Sequence, residues 1–216
     1  MQSQKYLHYY VVIPESTIMI SSITKREDQT YTKCYCEENV WKLCDRLKQD
    51  GEHFDRAYAV FISNSDQTVP LWCQRASADP ENQPVVWDYH VILLLKSSSV
   101  GSPAVVFDLD SSLDPFPCPA DLYAAKTFPM EERLLTNYKR SFRVVSAAEF
   151  LLHFASDRSH MKDSSGNWQM PPPTYDCIQP EGGRSAHNLD NFISMDKAVG
   201  WGQVMNLEDL VIFFRQ

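Results

Sequence analysis

Residues 85–95 constrain the fold most. The run Val85-Val86-Trp87-Asp88-Tyr89-His90-Val91-Ile92-Leu93-Leu94-Leu95 is apolar or aromatic at every position but two. A run so rich in β-branched and aromatic residues reads as a strand inside a sheet. Its exceptions, Asp88 and His90, stand at i and i+2 and so point to one face of that strand. A polar residue on an apolar strand needs a reason. For His90 alone, the commoner reason is a hydrogen-bonded core histidine.

Around this strand the chain alternates between patterns. Val40, Leu43, Cys44 and Leu47 fall at i, i+3, i+4 and i+7, one face of a helix. Glu37, Glu38 and Asn39 precede them and suit the positive end of the helix dipole, which places Cys36 at the helix N-terminus. Residues 58–63, 69–74 and 104–110 are further strand-like runs between polar or Pro-containing turns. Ser146-Ala147-Ala148-Glu149 is a capping box leading into Phe150, Leu151 and Phe154. Asn206 opens a final short helix through Leu210 and Phe214. Residues 156–191 are polar and loop-like and include Pro171-Pro172-Pro173. Residues 1–30 carry aromatic and β-branched stretches without a clean period. A helix, then strands, then more helices predicts an α+β fold with a largely antiparallel sheet. No repeat or linker divides it.

Composition removes several function classes. The 216 residues hold 20 basic and 28 acidic side chains, a net charge of −8, with no basic cluster. That balance argues against sequence-blind binding to nucleic acid or an anionic membrane. The longest apolar run has six residues, where a spanning helix needs about 20. The N-terminus lacks the pattern of a signal peptide, and no Asn-x-Ser/Thr sequon occurs. Six cysteines are too sparse for a disulfide scaffold. An intracellular protein with reduced thiols is expected, in the cytoplasm or also the nucleus, and nothing demands more than a monomer. There is no Gly-rich phosphate loop, no His-Glu-x-x-His, no Cys-x-x-Cys and no Gly-x-Ser-x-Gly. Cys34-x-Cys36 has the wrong spacing for a zinc knuckle. Nucleotide binding through those loops and structural zinc are not expected.

What remains is a cysteine at a helix start. The thiolate is the nucleophile, and a helix N-terminus or a nearby imidazolium stabilises it. Backbone N–H groups there could hold an oxyanion. If residues 85–95 and 104–110 form a hairpin centred near Val100, opposing residues sum to about 200. His90 then faces the neighbourhood of residue 110. Asp108 and Asp110 both lie there, and a carboxylate beside His90 would fix its tautomer. Geometry alone does not choose between them, and Asp110 could merely cap the turn into Ser111-Ser112. Cys34, Cys44, Cys73, Cys118 and Cys177 read as core. So do Trp72, Trp87 and Trp201. Asp157, His160 and Asp163 read as a loop held by side chain–backbone hydrogen bonds rather than as metal ligands.

At these positions the chain resembles a known family. Cys34-Tyr35-Cys36-Glu37-Glu38-Asn39-Val40-Trp41-Lys42-Leu43-Cys44 is similar to the opening motif of the protein N-terminal glutamine amidohydrolases. The likeness continues through Tyr58–Asn64, Val86–Val91, Asp108-Leu109-Asp110, Phe154–Trp168, Asn191–Asp196 and Val199–Gly202. It leaves out residues 1–30, an extension of uncertain role before a single catalytic domain at 31–216. The resemblance implies a papain- and transglutaminase-like fold. It implies Cys36 as nucleophile, His90 as base and Asp108 as orienting carboxylate. It implies deamidation of an N-terminal glutamine side chain to glutamate, through a thioester and without cofactor, upstream of arginylation in the N-degron pathway. The partners implied are proteins with a free N-terminal Gln. A cysteine peptidase or a transglutaminase-like acyltransferase is the alternative enzyme, and a non-catalytic module of the same fold is the alternative class. Recognition of a free α-ammonium needs an acceptor. Asp88 is the candidate; its bland alternative is a buried carboxylate bonded to backbone N–H or to Trp.

Overall fold

The computed structural model describes residues 23–51, 53–97, 103–180 and 186–216. Its elements run α1 Cys36–Asp50, β1 Ala57–Ser63, β2 Val69–Leu71, β3 Val85–Trp87, β4 His90–Leu95, β5 Val105–Phe107, β6 Cys118–Pro119, α2 Ala120–Thr127, β7 Ser141–Ser146, α3 Ala147–His153, α4 Asp190–Ile193, β8 Gln203–Met205 and α5 Leu207–Phe214. Six strands form one sheet in the order β6-β5-β4-β1-β7-β8, every neighbouring pair antiparallel. Strands β2 and β3 make a separate ribbon. The expected α+β architecture with an antiparallel sheet is present. No helix among the described residues is long and apolar enough to cross a membrane.

Period-2 alternation builds two cores from one sheet. Ala59, Phe61, Val91, Leu93 and Phe107 face Val40, Leu43 and Leu47 of α1 and Phe150 of α3. Val60, Ile62, Ile92, Leu94 and Val106 face Tyr123 and Ala124 of α2 and Leu210 and Phe214 of α5. Each fully buried Leu, Ile, Val or Phe contributes about 1.5–3 kcal/mol. The helix face read from residues 40–47 is therefore the face that seats α1 on the sheet. Gly51 ends α1 at φ 71°, a left-handed conformation suited to glycine, with its N–H on the Leu47 carbonyl.

Several local readings hold. Ser146 caps α3, accepting from the Glu149 N–H, and its hydroxyl donates to the Glu149 carboxylate at 2.8 Å. Asn206 caps α5. Leu93 pairs with Phe107, Leu94 with Val106 and Leu95 with Val105, so opposing numbers sum to 200 as the hairpin reading requires. The tip, 98–102, lies outside the described residues.

Others need correction. Residues 85–95 are two strands in two sheets. The break falls at Asp88, whose carboxylate accepts from the Tyr89 N–H while its carbonyl accepts from Ser63 Oγ. These bonds turn the chain at Asp88-Tyr89, so Asp88 and His90 do not share a strand face. The run 69–74 is a strand only to Leu71, because Cys73 takes φ 55° and turns the chain. Helix α2 and strand β7 stand where no element was read. Their signals are weak: α2 has little amphipathic pattern, and β7 pairs with a strand far away in the chain, Ser63 of β1 with Ser141 and Tyr58 with Ser146. Of residues 1–30, the described part packs on the domain: Ile23 is fully buried, and Arg26 donates to the Leu113 carbonyl and lies over the Phe116 ring. Residues 1–22 lie outside the described residues.

On the α1 face of the sheet, Arg143 of β7 is buried and donates to the carbonyls of Ser194, Asp196 and Trp201. Gly200 in that segment has φ 72°, and a Cβ there would meet the Asn191 carbonyl at 1.9 Å. This strap fixes α4, which borders the site.

Candidate active site

Four consecutive residues at the start of α1 each have a separate task. Cys36 is the first residue of the helix, half-buried, in a cleft of about 500 Å³. Glu37 and Glu38 are fully buried in the first turn. Glu38 takes two parallel bonds from Arg158, both 2.9 Å. Arg158 also donates to the carbonyls of Pro173 and Tyr175. A bidentate pair of this kind adds geometric specificity; it joins the helix start to the chain that carries His160, Met161, Gln169 and Met170 into the cleft. Asn39 closes the loop before the helix, donating to the Thr32 carbonyl and accepting from the Thr32 N–H. Glu37 accepts from Tyr89 Oη at 2.9 Å, and its Oε1 lies 3.6 Å from His160 Nε2.

The opposite wall carries His90 and Asp108. His90 opens β4 and Asp108 follows β5, so the antiparallel register brings them together. His90 Nε2 lies 3.0 Å from Asp108 Oδ1. The same carboxylate accepts from the Asp110 N–H at 2.9 Å, Tyr123 Oη at 2.8 Å and Gln74 Nε2 at 3.2 Å. Burial alone would raise the Asp108 pKa; His90, Tyr123 and Gln74 together hold it below the usual carboxylate value. Burial likewise works to lower the His90 imidazole, and the Asp108 carboxylate overcomes it and holds it above the ordinary value. An ionised carboxylate only accepts, so Nε2 bears the proton. In the neutral ring Nδ1 is then the basic nitrogen, and it has no hydrogen-bond partner among the described residues. Trp87 stacks on the ring, centroids 5.5 Å apart.

Asp110 is placed differently. It lines the cleft and accepts from Tyr31 Oη, and burial raises its carboxyl despite the nearby His90. His90, Asp108 and Asp110 put donor atoms within 4.8 Å of one another, a spacing compatible with an ion. The Asp108 oxygens are already committed to four hydrogen bonds, so the cluster reads as a hydrogen-bond network. Asp157 and Asp163 accept from backbone N–H groups two residues on, as the loop reading expects.

The structure thus brings Cys36, His90, Asp88 and Asp110 to one cleft, with Asp108 directly behind His90. Asp88 is exposed at the cleft rather than buried, although its carboxylate does accept from a backbone N–H, that of Tyr89, as its bland alternative expected. Cys34 also lines the cleft, half-buried at φ 67°, and Cys177 is exposed, so neither is core. Trp87 lines the cleft and also packs, partly buried, against the second core. Sequence reading placed Glu37 beside Cys36 without giving it a role, and missed Gln74, Tyr123 and His160 as parts of the site. Two successive acids on a helix seated against a sheet were the available signal for Glu37. Gln74 and Tyr123 had none, because their link to Asp108 spans 34 and 15 residues.

A half-buried thiol, an imidazole held by a carboxylate and an acidic cleft on an antiparallel α+β scaffold define a class of protein with the groups of an amide hydrolase. Comparison with known proteins narrows it. The family model of N-terminal glutamine amidase matches residues 31–214. Protein N-terminal glutamine amidohydrolase of Bos taurus is 50% identical over 187 residues, 86% of this chain and 87% of that protein. The Danio rerio protein of the same name is 50% identical over 186 residues, covering 85% and 88%. The Homo sapiens protein is 49% identical over 185 residues, covering 85% and 87%. The chain belongs to the N-terminal glutamine amidase family.

Proposed function

We propose that this protein hydrolyses the side-chain amide of an N-terminal glutamine, with Cys36 as nucleophile, His90 as acid and base, and Asp108 as orienting carboxylate. The observation that carries the reading is the meeting of Cys36 and His90 on one cleft, with His90 Nδ1 unpartnered and Nε2 held by Asp108. The proposed steps use that geometry. His90 Nδ1 takes the thiol proton as Sγ bonds to the carboxamide carbon. The Cys36 N–H and its neighbours at the helix start face the oxyanion. Collapse of the tetrahedral species breaks the C–N bond, and His90 returns the proton to the leaving ammonia. Water then gives a proton to His90 and attacks the thioester, and the thiol regains that proton as glutamate leaves.

The free N-terminus finds its acceptors in the lining. Asp88, Asp110 and Asp190 line the cleft, and no Lys or Arg does so among the described residues. Such a lining attracts an ammonium and disfavours an anionic chain end. Asp88, exposed at the mouth, is the proposed contact. A helix carrying the nucleophile and packed on an antiparallel sheet that carries the base also supports the papain- and transglutaminase-like fold. The placement upstream of arginylation rests on the resemblance.

Ammonia release from a Gln-initiated peptide, with mass confirming Gln to Glu, tests the reading. Companion peptides start with Asn or acetylated Gln, or hold Gln only internally. Release from free N-terminal Gln alone, lost in Cys36→Ala, is expected. Cleavage of internal bonds or incorporation of an amine would instead establish the peptidase or acyltransferase chemistry.

A further inference from the structure

The mechanism proposed above leaves the Glu37 carboxylate without a part. It is fully buried, and its Oε2 lies 3.7 Å from the Cys36 sulfur. Tyr89 Oη donates to that same oxygen and holds it in place. The other oxygen has no hydrogen-bond partner among the described residues, with the His160 ring as its nearest ionisable neighbour.

A buried carboxylate at that distance opposes ionisation of the thiol, since like charges repel and little water screens them. The groups facing the sulfur from other elements add to the effect. Asp88 precedes β4 and Asp110 follows β5. His90 can supply one positive charge, but Asp108 already matches it. The helix start and the Val91 N–H favour the thiolate, yet burial and then Glu37 push the thiol well above its ordinary value. His160, 3.6 Å from the other Glu37 oxygen, is a second ring that can carry positive charge, but no Lys or Arg lines the cleft among the described residues, so the substrate-free cleft holds no fixed positive charge where the nucleophile must ionise. An N-terminal glutamine brings it: its ammonium is four bonds, on the order of 5 Å, from the carbon attacked.

We propose that Glu37 is a specificity-determining residue that makes activation of Cys36 depend on a free α-ammonium on the substrate. The inference rests on the amidase reading and deepens it. The amine is more than an anchor, because it offsets the field that Glu37 places on the sulfur. A substrate lacking it occupies the cleft beside a thiol that stays protonated. The same field protects the empty enzyme's thiol from stray electrophiles.

The test uses the full chain and Glu37→Gln, which keeps an acceptor for Tyr89 Oη and removes the charge. The first readout is iodoacetamide alkylation of Cys36 in the free protein across pH, located by mass. In Glu37→Gln the profile is expected to move about one pH unit lower, roughly tenfold faster alkylation near neutrality. The second readout is kcat and KM of the wild type on a Gln-peptide and on the same peptide with a 4-carbamoylbutanoyl start, which lacks only the amine. The loss is expected mainly in kcat, and the kcat gap is expected to narrow in Glu37→Gln. Unchanged or slower alkylation in folded Glu37→Gln overturns the proposal, and so does a wild-type loss confined to KM. If the variant does not fold, the wild-type split decides alone. Turnover of the Gln-peptide separates the two levels: turnover with equal kcat on both peptides removes Glu37's part only. No turnover removes the amidase reading and this inference with it.

Discussion

The two walls of the cleft treat buried charge in opposite ways. On the wall built by β4 and the end of β5, Asp108 receives four donors and its charge is fully engaged. On the wall built by the start of α1, Glu38 is matched by Arg158, but its neighbour Glu37 has the Tyr89 hydroxyl and the Cys36 thiol on one oxygen and no hydrogen bond on the other, which faces the His160 ring at 3.6 Å. Buried polar groups are ordinarily paired. Where pairing is complete, the charge fixes geometry and little of its field escapes. Where it is incomplete, the field acts on the adjacent group, here the Cys36 thiol. Two carboxylates of equal burial thus do different work because their donor counts differ.

The largest expected effect removes the proposed nucleophile. Cys36→Ala should abolish ammonia release while leaving the far-ultraviolet circular dichroism and the melting temperature close to those of the wild type. A melting temperature that falls sharply would instead give Cys36 a packing role.

Next comes the engaged wall. Asp108→Asn should lower kcat by about 10³–10⁴-fold, because the amide no longer enforces the tautomer that leaves Nδ1 basic. The pH profile sharpens this. His90 must be unprotonated to act as a base, and Asp108 holds it above its ordinary value. Activity should therefore rise with pH through that raised value. In Asp108→Asn the residual acid limb should move to lower pH, as the stabilising anion is gone. A limb that stays in place would show that His90 is not the group titrating. Stability carries the matching sign. Asp108 is held below its unfolded value, so its contribution is present above that value and is lost as pH falls through the folded one.

Breaking the matched pair on the α1 wall should cost stability before chemistry. Arg158→Ala leaves Glu38 buried and unpaired, a change of about 3–5 kcal/mol in similar settings. Denaturant unfolding measures it. Arg158→Lys should recover only part, because an ammonium cannot make the two parallel bonds. Full recovery would mean that charge alone, and not the fork geometry, ties the helix start to residues 156–176.

The smallest effect is expected at the rim. Asp88→Asn should raise KM for Gln-peptides a few-fold with kcat nearly unchanged, as an exposed charge facing water contributes about 1 kcal/mol or less. Unchanged KM would move the α-ammonium contact inward, toward Asp110 or Asp190.

The walls also differ in how far they could be read in advance. Cys36 at a helix start was legible because residues 40–47 repeat with the helical period. The pairing of His90 with the 108–110 stretch was legible because a hairpin has a fixed sum, and β4 and β5 keep it. The choice between Asp108 and Asp110 was not available from register, since both fall within reach. In the structure His90 bonds to Asp108, the carboxylate that also meets Tyr123 and Gln74. Asp88 was misread because a continuous apolar run hides a change of sheet, and only Ser63 and the Tyr89 N–H reveal the turn.

By itself, then, the sequence determined what depends on neighbours along the chain: the α1 face that packs on the sheet, the caps at Ser146 and Asn206, the hairpin register and the family motifs. Periodicity, capping and register are short-range properties, and local residues suffice to set them. Tertiary structure decided what depends on distant partners. Arg158 lies 120 residues from Glu38 and Gln74 lies 34 from Asp108. A buried charge takes its behaviour from whichever donors the fold delivers to it, and no local pattern encodes which ones arrive.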